Sequence, residues 1–188
     1  MSHSALQDTA PQDPVRRKNR EIVDEAWIRT FLHRAPLCAL GTVHDGWPFI
    51  NANLFFYDEE AHVIYLHTAG SGRTRSNIEA DGKVCVSISE MGRLLPGPRA
   101  TDFSVEYASV IVFGRANVVT DLAEARSAFE RQMAKYAKHL LIGRDYEPFT
   151  DEEMMRAAMY RIDIERWIAK QNRQPDDFPG AFLYSPDR

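Results

Sequence analysis

The sequence predicts an α+β fold built on an antiparallel sheet or barrel. Three observations lead there. First, β-rich runs are separated by tight-turn sequences, Asp45-Gly46, Asp58-Glu59-Glu60 and Asp81-Gly82, and an Asp-Gly pair between two such runs is the preferred composition of a hairpin. Second, helical periodicity is confined to short segments between the strands. Third, no succession of βαβ units can be traced, and no internal repeat.

The elements follow in order. Residues 1–20 are polar, contain Pro11 and Pro14 and end in Arg16-Arg17-Lys18-Asn19-Arg20; this is too hydrophilic to offset the entropy of ordering, so a flexible arm is expected. The domain proper spans residues 21–170. From Asp24, the residues Trp27, Ile28, Phe31 and Leu32 recur at helical spacing until Pro36 stops the helix. Leu37–Val43, Trp47–Tyr57 and Val63–His67 form a three-stranded meander. Gly70-Ser71-Gly72 then breaks the sheet, a turn or two of helix is expected over Thr74–Ala80, and Lys83–Ser89 is the fourth strand. Residues 91–103, with Pro96, Gly97 and Pro98, read as a loop.

Ser104–Thr120 reads as a fifth strand, or a pair of strands, with Val105, Tyr107, Ser109, Ile111 and Phe113 on one face and Gly114 at a bend or bulge. Asp121 and Glu124 approximate a capping box for a helix reaching about His139, its buried face holding Leu122, Ala125, Phe129, Met133 and Tyr136. Thr150 and Glu153 open a shorter helix in the same way. Tyr160–Arg166 alternates apolar and charged residues as a half-buried strand does, and residues 171–188 form a polar, Pro-rich tail.

Composition narrows the function. The 188 residues make one domain, and 44% apolar residues with 10 Phe, 7 Tyr and 3 Trp suffice to bury roughly 70% of the extended surface. A sum of 23 Lys and Arg against 27 Asp and Glu, net −4, gives no positive field to gather nucleic acid or anionic lipid. Cys38 and Cys85 lie in apolar runs outside any CxxC spacing and are expected as reduced thiols. The histidines at 33, 44, 62, 67 and 139 lack metal-ligand spacing, so no structural metal is expected. No apolar stretch approaches the roughly 20 residues of a membrane span, and Met1–Asp8 lacks the apolar segment of a signal peptide. A cytoplasmic protein with no membrane or nucleic-acid partner is expected.

The stretch that carries most chemistry is His67-Thr-Ala-Gly-Ser-Gly-Arg-Thr-Arg-Ser-Asn77, in which a strand ends, glycines turn the chain and a helix begins with two arginines on it. Free amides at the helix start, close approach over Gly70 and Gly72, hydroxyls of Thr74 or Ser76 and a fork from Arg73 or Arg75 can together hold a phosphate. An ordinary strand-to-helix loop with solvated arginines is the alternative on local sequence alone. Gly70-x-Gly72-x-x-Arg75 is not a dinucleotide fingerprint, because arginine replaces the third glycine. Neither a Walker loop nor a Gly-x-Ser-x-Gly elbow is present. The acidic pairs Glu59-Glu60 and Glu152-Glu153 fit a solvated turn and a helix start better than a catalytic dyad.

Leu66 to Val86, followed by Phe103-Ser-Val-Glu-Tyr-Ala-Ser-Val-Ile-Val-Phe-Gly114, resembles the pyridoxamine-phosphate-oxidase-like flavoproteins, in the branch related to nitroimidazole reductases. The likeness covers roughly residues 22–170. It implies an antiparallel six-stranded split β-barrel with flanking helices, a homodimer, and FMN held in clefts at the dimer interface. His67 and Thr68 match the pair that packs along the ribityl chain and flavin edge. Gly72-Arg73-Thr74 is similar to the family's phosphate-gripping run, with Thr74 in place of the usual lysine and Arg75 next to it as a replacement cation. Asn51 and Asn53 fall where the family presents groups to the pyrimidine side of the flavin, and Trp167 and Lys170 where the second subunit supplies an aromatic and a cation.

The C-terminal run from Arg173 to Arg188 lacks the Arg-x-His-x-Arg pattern of true pyridoxine-phosphate oxidases, so vitamin B6 oxidation is not implied. The resemblance instead implies an FMN-dependent oxidoreductase passing electrons to a small-molecule acceptor such as a nitro compound or quinone, with no residue singled out as catalytic. The alternative is a non-catalytic carrier of flavin, deazaflavin or haem, with His67 as axial ligand in the haem case.

Overall fold

The computed structural model describes residues 9–186, so the first eight residues of the expected arm and the last two of the tail lie outside the described residues. The elements run β1 (Glu21–Ile22), α1 (Glu25–Arg34), β2 (Cys38–His44), β3 (Trp47–Asn53), β4 (Phe55–Asp58), β5 (Val63–Ala69), α2 (Arg73–Ala80), β6 (Lys83–Leu95), β7 (Ser104–Val118), α3 (Leu122–Tyr136), α4 (Asp151–Arg156) and β8 (Ala157–Asn172).

The strands pair antiparallel in the order β3-β2-β6-β7-β8-β5-β4, with β1 added to β8. The two strands at the ends of that order are consecutive in the chain, parted only by Leu54, and β3 also contacts β5. The sheet therefore closes on itself. The stretch expected as one strand, Trp47–Tyr57, pairs with β2 through its first half and with β5 through its second. Counted once, and with the two-residue β1 set aside, it leaves the six barrel strands that the resemblance implies. The hairpin at Asp45-Gly46 has φ of 50° and 76°, the paired left-handed conformation of a two-residue turn that follows strand twist.

The barrel interior is filled by Leu40, Phe55, Tyr57, Leu66, Val86, Val110 and Tyr160, all fully buried, with Ile28, Phe31 and Leu32 of α1 packed into the same cluster. Asp24 caps that helix by accepting from the N–H groups of Ala26 and Trp27. A second apolar cluster lies outside the barrel, where Val63, Tyr65 and Met159 meet Ala125, Phe129 and Met154 of α3 and α4. With both faces covered, β5 is buried at four successive residues, Val63 to Leu66.

Several elements depart from the sequence reading. β6 continues to Leu95 through the expected loop, with a register slip between Met91 and Leu94. The alternation fails there because Gly92 lies against Glu106, where an added Cβ would stand 2.8 Å from the glutamate Cβ. β8 is far longer than Tyr160–Arg166. Its start, Ala157-Ala158-Met159, pairs with β5 under the helices and so carries no polar alternation, while its end pairs with β7. The buried face of α3 holds Ala125, Ala128, Phe129 and Gln132, whereas Leu122 is exposed and the helix ends at Tyr136. Val105, Tyr107, Ser109, Ile111 and Phe113 do share a face of β7. It is the outer, half-buried one, since Ala108, Val110, Val112 and Ala116 point inward. The bulge at Gly114 is present, between Phe113 and Gly114, and a side chain there would collide with the Asp163 carbonyl.

The described part of the arm is docked on β8: Val15 is buried, and Arg166 donates to the carbonyls of Pro11 and Asp13. The tail is tied down by Phe182, which pairs with Leu94. Cys38 and Cys85 are both free. Among the described residues, no helix is long and apolar enough to cross a membrane, and no group of three or more His, Cys, Asp or Glu is placed to hold a metal ion.

Candidate functional site

The connection from β5 to α2 is shaped by two glycines. Gly70 donates its N–H to the Arg156 carbonyl at 2.8 Å, and a Cβ there would stand 2.7 Å from that oxygen, so the approach excludes a side chain. Gly72 precedes α2 with φ 132° and ψ −179°, a region essentially reserved for glycine. No atom lies within 4 Å of where its Cβ would be. Having no side chain, Gly72 gives the helix no side-chain cap. The first N–H groups of α2, at the positive end of its dipole, stay available to an external acceptor.

Polar groups from β3 and α2 converge beside this helix start. Thr74 is buried, with Oγ1 3.5 Å from Asn51 Nδ2. That amide also lies 3.5 Å from Asn53 Oδ1, and Asn53 Nδ2 donates to the Asn51 carbonyl at 2.9 Å. One turn along α2, buried Asn77 donates to Thr42 Oγ1 on β2 at 2.8 Å, which fixes the helix to the barrel. Arg73 is exposed, its guanidinium 5.8 Å from the centre of the Phe49 ring, and it forms no ion pair among the described residues. Arg75 is engaged within its own segment, donating to Glu79 and to the Gly70 carbonyl, each at 2.7 Å.

The end of β5 makes the adjoining wall. Thr68 donates to the Ala69 carbonyl at 3.0 Å, so the Tyr160 hydroxyl 3.1 Å away serves as donor to Thr68. Burial pushes the Tyr160 phenol up, which keeps it protonated in that role. His67 is half-buried, its Nδ1 2.9 Å from Gln132 Oε1 and its ring against Phe129 with centroids 4.9 Å apart.

The structure thus brings together Asn51, Asn53, Gly72, Arg73 and Thr74, with His67 and Thr68 on the strand that leads into the helix and Arg75 turned to Glu79. It does not bring Trp167 and Lys170 to them within one chain. Both lie on the part of β8 that pairs with β7, Lys170 opposite Glu21 and Trp167 against His62, Tyr57 and Arg29. Thr42, Asn77, Gln132 and Tyr160 escaped the sequence reading. Asn77 closes the motif one turn beyond Arg73 and Thr74, a signal that was there to use. Gln132 had none, since it reaches His67 from a helix 65 residues away.

The model of the family described as Pyridoxamine 5'-phosphate oxidase matches residues 24–171. Solved structures with the same fold include the flavocytochrome Anf3 of Azotobacter vinelandii, 21% identical, with a TM-score of 0.76 over 94% of this chain and 87% of that one. The FAD and heme binding protein of Mycobacterium smegmatis is 18% identical, with a TM-score of 0.73 over 84% and 76%. A candidate 5-nitroimidazole antibiotic resistance protein of Bacteroides thetaiotaomicron is 19% identical, with a TM-score of 0.67 over 80% and 86%. No curated protein sequence matches the chain.

Proposed function

The chain belongs to the pyridoxamine 5'-phosphate oxidase family, and from that membership we propose that it is an FMN-binding oxidoreductase that passes electrons to a small-molecule acceptor. The observation that carries the reading is the uncapped start of α2 behind Gly72, flanked by Arg73, which has no ion pair among the described residues, and by the Thr74, Asn51 and Asn53 cluster. Those groups fit a phosphate monoester: uncapped N–H groups, one exposed cation, hydroxyl and amide donors, and space where a side chain would intrude. The flavin supplies the redox chemistry. The chain's own part is to grip the phosphate at α2, to wall the ring with His67 and Thr68, and to present the amides of Asn51 and Asn53 to the polar edge.

The same reading includes a homodimer in which Trp167 and Lys170 serve the partner's site. An apolar groove of about 500 Å³ on the outer face of β2, β3, β6 and β7, lined by Gly41, Ile50, Cys85 and Phe113 and also by Pro11 of the chain's own arm, offers a surface for a second copy. The roles of Trp167 and Lys170 rest on the family membership. A cytoplasmic location accords with the reading. The absorption spectrum of the purified protein, together with its sedimentation, tests it. Oxidised flavin bound to a dimer is the expected result, and a stable monomer binding FMN at full affinity would remove the shared site.

A second reading is carriage of flavin, deazaflavin or haem without turnover. The names of the Azotobacter and Mycobacterium relatives bring haem and FAD into consideration beside FMN, since one is a flavocytochrome and the other binds FAD and haem, but do not bear on turnover. A haem spectrum in place of a flavin one, abolished in His67→Ala, would select it.

A further inference from the structure

Gln132 is the one polar residue among the buried positions of α3, which are otherwise Ala125, Ala128 and Phe129. It is 4% exposed. A buried amide group without a partner is costly, and Nε2 of Gln132 has no partner among the described residues. An alanine or leucine would fill this apolar face without that cost. What the amide contributes therefore lies at its oxygen, and the oxygen is 2.9 Å from His67 Nδ1.

An amide oxygen only accepts hydrogen bonds, so Nδ1 of His67 carries the hydrogen and, in the neutral ring, Nε2 keeps the lone pair. Phe129, three residues before Gln132 on the same face of α3, packs against the imidazole with centroids 4.9 Å apart and planes at 55°. The ring's packing partner and the partner of Nδ1 thus both come from one helix.

We propose that Gln132 is a positioning residue that holds His67 in the Nδ1–H tautomer and leaves Nε2 as an electron-pair donor at the end of β5. The bound group that meets Nε2 is then one that offers a proton or a vacant coordination position, in preference to a hydrogen-bond acceptor. This consequence rests on the flavin reading above for the identity of that group. The tautomer does not.

Long-range proton–nitrogen NMR of the ¹⁵N-labelled protein, at a pH where the ring is neutral, tests the assignment, with His67→Gln identifying the His67 signals. The expected wild-type pattern is a protonated Nδ1 and an unprotonated Nε2. Gln132→Leu is expected to lose this single pattern for a mixture weighted to Nε2–H, and Gln132→Glu, which keeps an acceptor, to restore the proton on Nδ1. An Nε2–H ring in the wild type would mean that the Gln132 amide donates to His67, and would overturn the proposal even if Gln132→Leu failed to fold. An unchanged ring in a folded Gln132→Leu protein would also overturn it. The same samples titrated with FMN separate the two readings: failure to bind flavin, with the wild-type tautomer as expected, removes the proposed function and leaves the role of Gln132 standing.

Discussion

Asn77, buried in the second turn of α2, donates to the Thr42 hydroxyl on β2 at 2.8 Å. This buried side-chain bond, together with Ile78 in the barrel core, holds to the barrel the helix whose N-terminus is proposed to take a phosphate. Asn77→Ala leaves a buried hydroxyl without its donor, which costs about 1–3 kcal/mol. Urea unfolding should show that loss, and FMN affinity should fall with it because the helix start is no longer held in register with β3.

Gly72→Ala is expected to be destabilising although nothing occupies the space of its Cβ. The backbone at φ 132° is the obstacle, and an L-residue held there costs about 1–3 kcal/mol. Thermal unfolding checks the cost. A variant as stable as the wild type would mean that the loop can settle into an ordinary conformation.

The strands and helices were largely legible because their signals are local: the Asp45-Gly46 turn, the capping residues Asp121 and Thr150, and the glycine at the β7 bulge; closure into a barrel was implied by the family resemblance. What escaped was set by contacts distant in sequence. Ala157-Ala158-Met159 carries no strand pattern because one face meets the barrel and the other meets α3 and α4, and Met91–Leu95 is irregular because Gly92 makes room for Glu106. In the site, the α2 motif was visible as a motif. The reach of Gln132 to His67 was not, since it spans 65 residues, whereas the pairing of Arg75 with Glu79 lies at i,i+4 spacing and was open to reading on the expected helix.

Glu106 predicts an acid dependence. It accepts from Arg93 at 2.9 and 2.7 Å and from the Gln174 N–H at 2.9 Å, and Arg93 in turn donates to the carbonyls of Gln174, Pro175 and Asp176. The Arg93 guanidinium first, then the Gln174 N–H, hold its carboxyl down at about 2 against the ordinary 4.5. A carboxylate lowered on folding stabilises fully above its unfolded value and loses that contribution as pH falls toward the folded one. Wild type should therefore exceed Glu106→Gln in Tm at neutral pH, and the gap should close between about pH 4.5 and pH 2. A gap independent of pH would refute this role.

On the flavin reading, chemically reduced holoprotein should pass electrons to small quinone or nitro acceptors, and apoprotein should not, because the flavin supplies the redox chemistry. His67→Ala should change the rate of reoxidation at equal flavin occupancy. Stopped-flow traces that coincide for both proteins with every acceptor would reduce His67 to a wall of the pocket and favour carriage over turnover.

The central claim is that the start of α2 grips a flavin phosphate through Arg73, and parallel fluorescence titrations of wild type, Arg73→Ala and Arg75→Ala with FMN and with riboflavin test it most directly. The account predicts that wild type binds FMN more tightly than riboflavin. Arg73→Ala should weaken FMN by about 1.5–3 kcal/mol, roughly 10- to 150-fold, as expected for a charge-assisted hydrogen bond, and leave riboflavin nearly unchanged. Arg75→Ala, whose guanidinium is already held by Glu79 and the Gly70 carbonyl, should weaken FMN less. Equal affinity of wild type for FMN and riboflavin, or an equal loss of both in Arg73→Ala, would contradict the account.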